Sequence, residues 1–286
     1  MKFGVHVSIA GSLAKAVLRA KAIRCDTFQI FTRNPRSWIA KELTDEMATA
    51  FKREVNESGI YPIFSHMPYL PNIASQEEPI YKKSLQSLED ELIRCDALSI
   101  PYTIIHLGSA KNAPKSDGLK TFIKGIDSVF DKKEFKCGLL LENTAGKEGK
   151  LGSLLEDLYE IISKSKFPHK IGICFDTCHA FASGYDIRSS IVLGEILDEI
   201  DEQIGLEKLK IIHCNDSVFD LGSGRDRHEH IGMGKIGIEG FKHLLSEKRL
   251  RSVPFICETP VDYRRNDRSQ LEILRCLLAE IEKVAY

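Results

Sequence analysis

The chain has 286 residues, of which 43% are hydrophobic, so it is long and apolar enough to form one large core. Its 40 Lys and Arg nearly balance its 41 Asp and Glu, which excludes binding to nucleic acid or membranes through overall charge. No apolar run approaches the roughly 18 residues that span a bilayer, and the start, MKFGVHVSIAGS, lacks the pattern of a secretory signal. We therefore expect a cytoplasmic protein with no membrane partner, whose eight scattered cysteines are reduced.

Eight short apolar runs, rich in β-branched residues, predict eight strands. In chain order they are Phe3–Val7, Thr27–Phe31, Tyr61–Phe64, Tyr102–Ile105, Gly138–Leu141, Ile171–Phe175, Leu209–Ile212 and Pro254–Cys257. Amphipathic stretches with helical spacing separate them. Strands that alternate with helices pair in parallel, and eight such units predict an α/β fold, a (β/α)8 TIM barrel, with an open doubly wound sheet as the alternative. No Pro-, Gly- or Ser-rich linker divides the chain, so we predict a single domain over residues 1–286.

A potential metal ligand stands one or two residues after the end of each of the last six runs. These residues are His66, His106, Glu142, Asp176, His213 and Glu258. A single His or Glu after a strand is more often an ordinary loop residue. The carboxyl ends of barrel strands, however, converge on the face where barrel enzymes place their active sites. We therefore expect the six side chains to form one site there.

Three further candidates lie just beyond strand ends. His179 stands three residues after Asp176, and Asp226 and His228 are two residues apart. Side chains two apart in an extended segment point the same way, so Asp226 and His228 can hold one ion together. His179 is expected to turn towards a neighbouring ion rather than to share the ion of Asp176.

The number of candidates predicts a multinuclear metal site. Nine ligands exceed the three that a catalytic zinc usually takes, so two or three ions are implied, and with three Glu142 is the expected bridge. Mixed imidazole and carboxylate ligands favour zinc, with manganese or iron(II) as alternatives. Cys174 and Cys178 flank Asp176 and are reserve candidates. Three divalent ions and four carboxylates leave a charge of about +2, which suits an anionic substrate such as a phosphodiester.

Three stretches carry a resemblance to a known family: HMPYLPNIA at 66–74, GICFDTCH at 172–179, and HCNDS at 213–217 followed by GS at 222–223 and DRH at 226–228. From first strand to last the chain resembles the endonuclease IV family (AP endonuclease family 2, deoxyribonuclease IV) of the xylose isomerase-like TIM-barrel superfamily. Val218, Pro68 and Pro71 depart from the residues usual in that family, whereas none of the ligands does.

The resemblance implies three Zn²⁺ ions, with Mn²⁺ or Fe²⁺ at one or more positions as alternatives. It groups the ligands as His66, His106 and Glu142 for one ion, Glu142, Asp176, His213 and Glu258 for a second, and His179, Asp226 and His228 for the third. Glu142 and Glu258 are the implied catalytic residues: Glu142 bridges two ions, and Glu258 orients the attacking hydroxide.

The resemblance also implies contacts with DNA by Arg36, Tyr69 and Leu70. An aromatic and an aliphatic side chain can fill the gap left by a missing base, while an arginine reaches phosphate. Basic residues near the strand-end loops are candidates for a local basic rim, namely Arg33, Arg36, Lys147, Lys150, Arg225, Arg227, Arg264 and Arg265.

The implied activity is that of a zinc-dependent apurinic/apyrimidinic endonuclease of base excision repair. It would cut double-stranded DNA immediately 5′ to an abasic site, leave a 3′-hydroxyl and a 5′-deoxyribose phosphate, and also remove 3′-blocking groups. No nucleotide cofactor is expected, and the protein is expected to be a monomer.

A divalent-metal sugar isomerase or epimerase of the same superfamily is the main alternative. Related barrels hold one or two ions with a Glu, Asp, His, Glu series at strands five to eight, which is present here. The five remaining candidates distinguish the two hypotheses, because a one-ion isomerase does not need them. A third hypothesis is a damage-binding protein that uses metals only structurally.

Overall fold

The computed structural model describes residues 1–146 and 150–284. Its strands are β1 (Lys2–Val5), β2 (Phe28–Ile30), β3 (Ile63–His66), β4 (Tyr102–His106), β5 (Gly138–Glu142), β6 (Ile171–Asp176), β7 (Leu209–His213), β8 (Asp216–Ser217), β9 (His228–Glu229) and β10 (Pro254–Cys257). Strands β1 to β7 and β10 pair in parallel in one sheet, while β8 and β9 form a short antiparallel ribbon in the loop after β7.

Helices fill the intervals between the strands of the large sheet. They are α1 (Leu13–Ala22), α2 (Asp45–Ser58), α3 (Glu78–Leu98), α4 (Lys115–Phe130), α5 (Leu155–Lys164), α6 (Thr177–Ser183), α7 (Ser190–Ile204), α8 (Gly237–Ser246) and α9 (Asp267–Val284). None of the helices within the described ranges combines the length and hydropathy that crossing a bilayer requires.

Local sequence signals set where several helices begin and end. The hydroxyl of Ser12 accepts a hydrogen bond from the Lys15 amide at the start of α1, and Thr44 does the same for Met47 at the start of α2. Helix α2 ends at Gly59, whose φ of 70° lies in the left-handed region that glycine adopts without strain. These residues fix where α1 and α2 begin and where α2 ends.

The sheet closes on itself. Its strand order is β1-β10-β7-β6-β5-β4-β3-β2, so β1 and β2 are the two edges. A parallel bridge between His6 and Gln29 joins these edges, and the Val7 amide donates to the Gln29 carbonyl at 2.7 Å. The predicted TIM barrel is confirmed, and the alternative of an open doubly wound sheet is wrong.

Five strands run one or two residues further than their apolar runs predict. The final residue of each strand from β3 to β7 is the polar candidate itself. These residues belong to the strands because their backbones still pair with the neighbouring strand, as between His106 and Glu142 and between Asp176 and His213. The sheet ladder, rather than a loop, therefore fixes the direction of these side chains.

The apolar core has two parts. The larger part lies between the sheet and the surrounding helices. The smaller part fills the inside of the barrel and consists of Phe64, Ile104, Leu140, Cys174, Ile211 and Ile256. Successive side chains of a strand point to opposite faces, so the residue two positions later also points inward. That next inward layer holds the candidate metal ligands.

Candidate metal centre

One polar layer crosses the carboxyl end of the barrel. Two residues beyond each member of the inner apolar core stands a candidate ligand, and the edge strands β1 and β2 contribute His6 and Gln29 to the same layer. The layer consists of His6, Gln29, His66, His106, Glu142, Asp176, His213 and Glu258. Most of these side chains are buried, although that of His106 is 42% exposed. The structure thus brings together all six predicted strand-end candidates.

Glu142 lies at the centre of this layer. Its Oε2 is 3.1 Å from His66 Nε2 and 2.8 Å from His106 Nε2, and its Oε1 is 2.9 Å from His213 Nδ1. Burial alone would raise the pKa of this carboxyl, but the nearby charges of His106 and His213 outweigh burial and hold the pKa well below its usual value. Glu142 is therefore ionised and faces histidines on both of its oxygens.

The nine predicted ligands fall into three groups whose ligand atoms lie within 4.8 Å of one another. Two groups share Glu142, which matches the bridging role predicted from its place in the series. The groups are His66, His106 and Glu142; Glu142, Asp176, His213 and Glu258; and His179, Asp226 and His228. Their roles as ligands remain predictions, but the grouping is the one that the family resemblance implies.

An orphaned nitrogen supports the fit of a metal to the third group. His228 Nε2 is buried without a hydrogen-bond partner and lies 3.5 Å from Asp226 Oδ1 and 3.6 Å from Asp176 Oδ2. His179 Nε2 lies 3.2 Å from Asp226 Oδ2. A buried polar atom without a partner is unfavourable, and a cation among these atoms would satisfy it.

Backbone carbonyls set the tautomers of three histidines. The Nδ1 atoms of His66, His179 and His228 lie 2.7, 2.9 and 3.1 Å from the carbonyl oxygens of Met67, Asn143 and Glu258. A carbonyl only accepts, so each Nδ1 carries the hydrogen and each neutral ring presents the lone pair of Nε2 to the centre. This arrangement is typical of histidines that bind metals.

Carboxylates dominate the electrostatics of the buried histidines. Burial would lower the pKa of His179, but Asp176, Asp226 and Glu142 outweigh it and raise that pKa well above its usual value. The pKa of His213 is likewise raised well above its usual value, because neighbouring negative groups that include Glu258 and Glu142 outweigh burial. Without a metal the site attracts protons, and a bound cation would replace them.

The reserve candidates Cys174 and Cys178 are less suited to bind a metal. Both are buried close to the ligand groups, and each can be placed in a set of three with neighbouring ligands. Burial raises the pKa of each thiol to about 12. Because the thiolate is the form that binds metals, the protonated thiols are poorer ligands than the adjacent carboxylates and imidazoles.

Two asparagines that sequence reasoning did not assign to the site position Asp176. The side chain of Asn143 accepts from the Asp176 amide at 2.6 Å and donates to its carbonyl at 3.0 Å. The Asn215 Nδ2 donates to Asp176 Oδ2 at 2.7 Å, while its Oδ1 accepts from the Glu258 amide at 2.7 Å. In the sequence, Asn143 follows Glu142 by one residue and Asn215 follows His213 by two residues. This closeness to a predicted ligand is the signal that could have identified them.

Gln29 and His6 complete the layer on the side of the edge strands. Gln29 is fully buried and contacts His213, Glu258 and His6. His6 Nδ1 lies 3.3 Å from Glu258 Oε1, so His6 also contacts a predicted ligand. Gln29 had no signal of its own in the sequence beyond its inward position in β2.

A cavity of about 550 Å³ opens above the layer. Its lining includes His106, Asp226, Glu258 and Tyr69. Tyr69 is 63% exposed, and its ring packs edge-on against Phe31 at 5.2 Å. Of the predicted DNA-contacting residues, only Tyr69 lines this cavity.

Leu70 follows Tyr69 on the loop after β3, and Arg36 lies on the loop after β2. Arg36 is exposed, Leu70 is 38% exposed, and the Tyr69 amide donates to the Pro35 carbonyl at 3.1 Å, which joins the two loops. The three residues therefore form one exposed group beside the cavity, which we call the rim group.

Helix α3 anchors the loop that carries Arg36. The Arg94 guanidinium donates to the Thr32 carbonyl at 2.6 Å and to the Lys41 carbonyl at 3.0 Å, one at each end of the loop. Glu91, which is fully buried, accepts from the Thr32 hydroxyl at 2.9 Å and lies 3.7 Å from Arg33 Nε. Arg33, one of the candidates for the local basic rim, is buried in this network and is not exposed.

The other basic candidates are mostly engaged in local contacts. Arg264 pairs with Glu229 and Asp262, and Arg225 stacks over the Phe219 ring at 3.7 Å, whereas Arg227 lines the cavity. Lys147 lies outside the described residues.

Known proteins share both the sequence and the fold of this chain. The family model described as xylose isomerase-like TIM barrel matches residues 17–279. "Probable endonuclease 4" of Methanoculleus marisnigri is 49% identical over 273 residues, which cover 95% of this chain and 97% of that protein. The crystal structure of endonuclease IV from Thermus thermophilus superposes with a TM-score of 0.86 at 36% identity and covers 98% of this chain and 100% of that one. A D-tagatose 3-epimerase-like protein has a TM-score of 0.74 at 21% identity over the full length of both chains, a likeness in fold alone.

Proposed function

The chain belongs to the endonuclease IV family, and on this premise we propose that it cleaves double-stranded DNA at the phosphodiester immediately 5′ to an abasic site. It is a metal-dependent hydrolase of phosphodiester bonds. The products of the proposed reaction are a 3′-hydroxyl and a 5′-deoxyribose phosphate, and the role is in base excision repair.

The observation that carries the proposal is the sharing of Glu142 between two of the three ligand groups. A single ion does not need nine ligand side chains, whereas three ions with about three protein ligands each would use all of them. Imidazole and carboxylate ligands suit three Zn²⁺ ions, with Mn²⁺ or Fe²⁺ as alternatives at one or more positions.

The charge of the loaded site supports a phosphodiester as the substrate. Three divalent ions outweigh the four carboxylates Glu142, Asp176, Asp226 and Glu258 and leave about +2. That surplus attracts an anion and would not assist a neutral sugar. Ions held here would lower the pKa of water towards neutrality and offset the charge that develops on the phosphate oxygens.

The side chains then have separate tasks. Glu142 would hold two ion positions at a fixed separation. Glu258 lines the cavity, and although burial would raise its pKa, the charges of His213 and His6 hold that pKa well below its usual value. Glu258 is therefore ionised and would orient the attacking water by accepting its hydrogen. The phosphorus–O3′ bond breaks as the new phosphorus–oxygen bond forms, and the 3′-oxygen leaves with a proton.

The rim group would recognise the lesion. Tyr69 presents an exposed ring directly at the cavity, and Leu70 lies beside it on the same loop. These two side chains would occupy the space of the missing base, and Arg36 would contact backbone phosphate. Removal of 3′-blocking phosphates would follow from the same site, since the bond broken is again a phosphate ester next to a 3′-oxygen.

The sugar isomerase alternative is less well supported. The group of Glu142, Asp176, His213 and Glu258 alone would serve an isomerase that uses one ion. It leaves His66, His106, His179, Asp226 and His228 without a role, although all five lie within reach of the same centre. The epimerase-like neighbour shares the fold only.

The test uses zinc-loaded protein and a labelled duplex that contains one tetrahydrofuran abasic analogue. We expect a single cut 5′ to the analogue, with a 3′-end that a DNA polymerase extends. The matched control is the same duplex without the lesion, which should stay intact. An uncut lesion strand at enzyme excess would overturn the proposal, and a ketose epimerisation assay on the same preparation would then test the alternative.

A further inference from the structure

We propose that Gln29 is a positioning residue that fixes the orientation of the His213 ring and of the Glu258 carboxylate in the metal centre. This inference rests on the proposed function only in taking His213 and Glu258 as metal ligands. Gln29 lies on β2, one of the two edge strands, and neither strand supplies one of the nine predicted ligands.

The amide of Gln29 contacts three residues of the polar layer. Its Oε1 lies 2.8 Å from His213 Nε2, and its Nε2 lies 2.7 Å from Glu258 Oε1 and 2.9 Å from His6 Nδ1. The side chain is fully buried, so water does not compete for these contacts. One amide therefore connects β2 with residues at the ends of β7 and β10.

The direction of each hydrogen bond follows from chemistry. Ionised Glu258 can only accept, so the Gln29 amide nitrogen must face it and the Gln29 carbonyl oxygen must face His213. Because that oxygen also only accepts, His213 donates to it from Nε2. The ring is thereby held with Nδ1 2.9 Å from Glu142 Oε1 and 3.3 Å from Glu258 Oε2, so that Nδ1 faces the second ligand group.

His213 differs from three of the other histidines in the ring nitrogen that faces the centre. His66, His179 and His228 donate from Nδ1 to backbone carbonyls and present Nε2 to the centre. His213 presents Nδ1, and a side chain takes the place of the carbonyl. The orientation of its ring therefore depends on the residue at position 29, whereas the orientations of the other three rings depend on the backbone.

Glutamine is suited to this position because it both donates and accepts. Methionine has a similar length but would leave the His213 Nε2 hydrogen and one Glu258 oxygen without the amide. Glutamate would still accept from His213, but it would place a second carboxylate against Glu258. These two replacements separate the two tasks.

The experiment compares wild type with Gln29→Met, Gln29→Glu and a control, Gln270→Met. Gln270 is also a fully buried glutamine that contacts a buried histidine, His230, but it lies outside the ligand groups. Zinc affinity is measured by competition with a chromogenic chelator, without DNA. Zinc on Nδ1 leaves the hydrogen of His213 on Nε2 in every variant, so the hydrogen bond at position 29 is read from the exchange of this hydrogen with water in ¹H–¹⁵N NMR spectra of the zinc-loaded protein.

We expect Gln29→Met to weaken the affinity of one zinc by about 10- to 100-fold and to speed the exchange of the His213 Nε2 hydrogen with water. Gln29→Glu should weaken that zinc as well but keep the hydrogen protected from exchange, and Gln270→Met should stay within about twofold of wild type. If Gln29→Met does not fold, Gln29→Glu still tests the inference, since wild-type zinc affinity in that variant would contradict it.

Unchanged zinc affinity and unchanged exchange of the His213 Nε2 hydrogen in Gln29→Met would overturn the inference, even if the wild type cleaves abasic DNA. A wild type that binds zinc but cleaves nothing would overturn only the proposed function. Equal losses in Gln29→Met and Gln270→Met would also contradict the inference, because they would reflect the general loss of a buried amide.

Discussion

The polar layer inside the barrel and the rim group above it differ in what holds them in place. The layer stands on β-strands or on the residue directly after one, its members are mostly buried, and most of them are fixed by the sheet ladder and by contacts with neighbouring side chains or carbonyls. The rim group stands on two loops, its side chains are exposed, and helix α3 anchors one of these loops from behind. The layer is built to hold charges at fixed distances, and the rim group is suited to contact a large ligand. Substitutions in the two regions should therefore fail in different ways.

The largest effect is expected from Glu142→Gln in the layer. This change removes a charge shared by two ligand groups, and a catalytic ion is worth several kcal/mol in the transition state, so kcat should fall by at least about 10³-fold. Zinc content, measured by mass spectrometry, should fall together with kcat. Glu91→Gln is the matched control, since Glu91 is equally buried but contacts Thr32 and Ser65 instead. If Glu142→Gln kept full zinc content and full kcat, the proposal that Glu142 bridges two ions would be wrong.

In the rim group, Tyr69→Ala should show the opposite pattern. Stacking on an aromatic ring contributes about 1–3 kcal/mol per base, so KM for lesion DNA should rise roughly 10- to 100-fold while zinc content stays at the wild-type value. Tyr61→Ala is the control, because Tyr61 is similarly exposed at 53% but lies before β3, at the opposite end of the barrel. A loss of zinc in Tyr69→Ala would show that the two regions are not separable.

The polar layer should respond to pH, whereas the rim group should not. In the metal-free protein the raised pKa values of His179 and His213 add stability that is fully present below about pH 6.5 and is lost as pH rises through them. Zinc must displace these protons, so its affinity should rise by about tenfold per pH unit for each proton released. The increase in Tm caused by zinc should therefore be larger at pH 8 than at pH 6. An equal increase at both pH values would contradict the electrostatics described for the layer.

A smaller effect is expected where the rim loop meets helix α3. Arg94→Lys keeps the charge but loses part of the contacts to Thr32 and Lys41, each worth about 1 kcal/mol, so KM for lesion DNA should rise roughly fivefold at unchanged kcat. Arg53→Lys serves as the control, since Arg53 is 66% exposed and pairs only on the surface. If Arg94→Lys lowered kcat and left KM unchanged, α3 would not act through the rim loop.

The same contrast explains how much of the molecule could be predicted from sequence. The candidate ligands could be found because strand periodicity and the convergence of barrel strands act on each run in the same way, so that His66 and Glu258 follow one rule although they are far apart in sequence. Even the place of Glu142 in two of the candidate groups agrees with its position in the middle of the series.

What depends on contacts across the barrel could not be predicted. Gln29 matters because of what lies opposite it on other strands, and its own sequence neighbourhood gives no sign of this. As a basic residue in a loop, Arg33 would be expected at the surface, but it is buried next to Glu91 of helix α3. The positions of Arg36, Tyr69 and Leu70 came from family resemblance, since exposed loop residues follow no periodicity that would single them out.

The most direct test of the shared-carboxylate centre is anomalous X-ray scattering, at the zinc edge, from crystals of the zinc-loaded protein. Three peaks are expected, one beside each of the three ligand groups, with Glu142 between two of them. A single peak within the group of Glu142, Asp176, His213 and Glu258 would contradict the trinuclear centre and favour the one-ion isomerase instead.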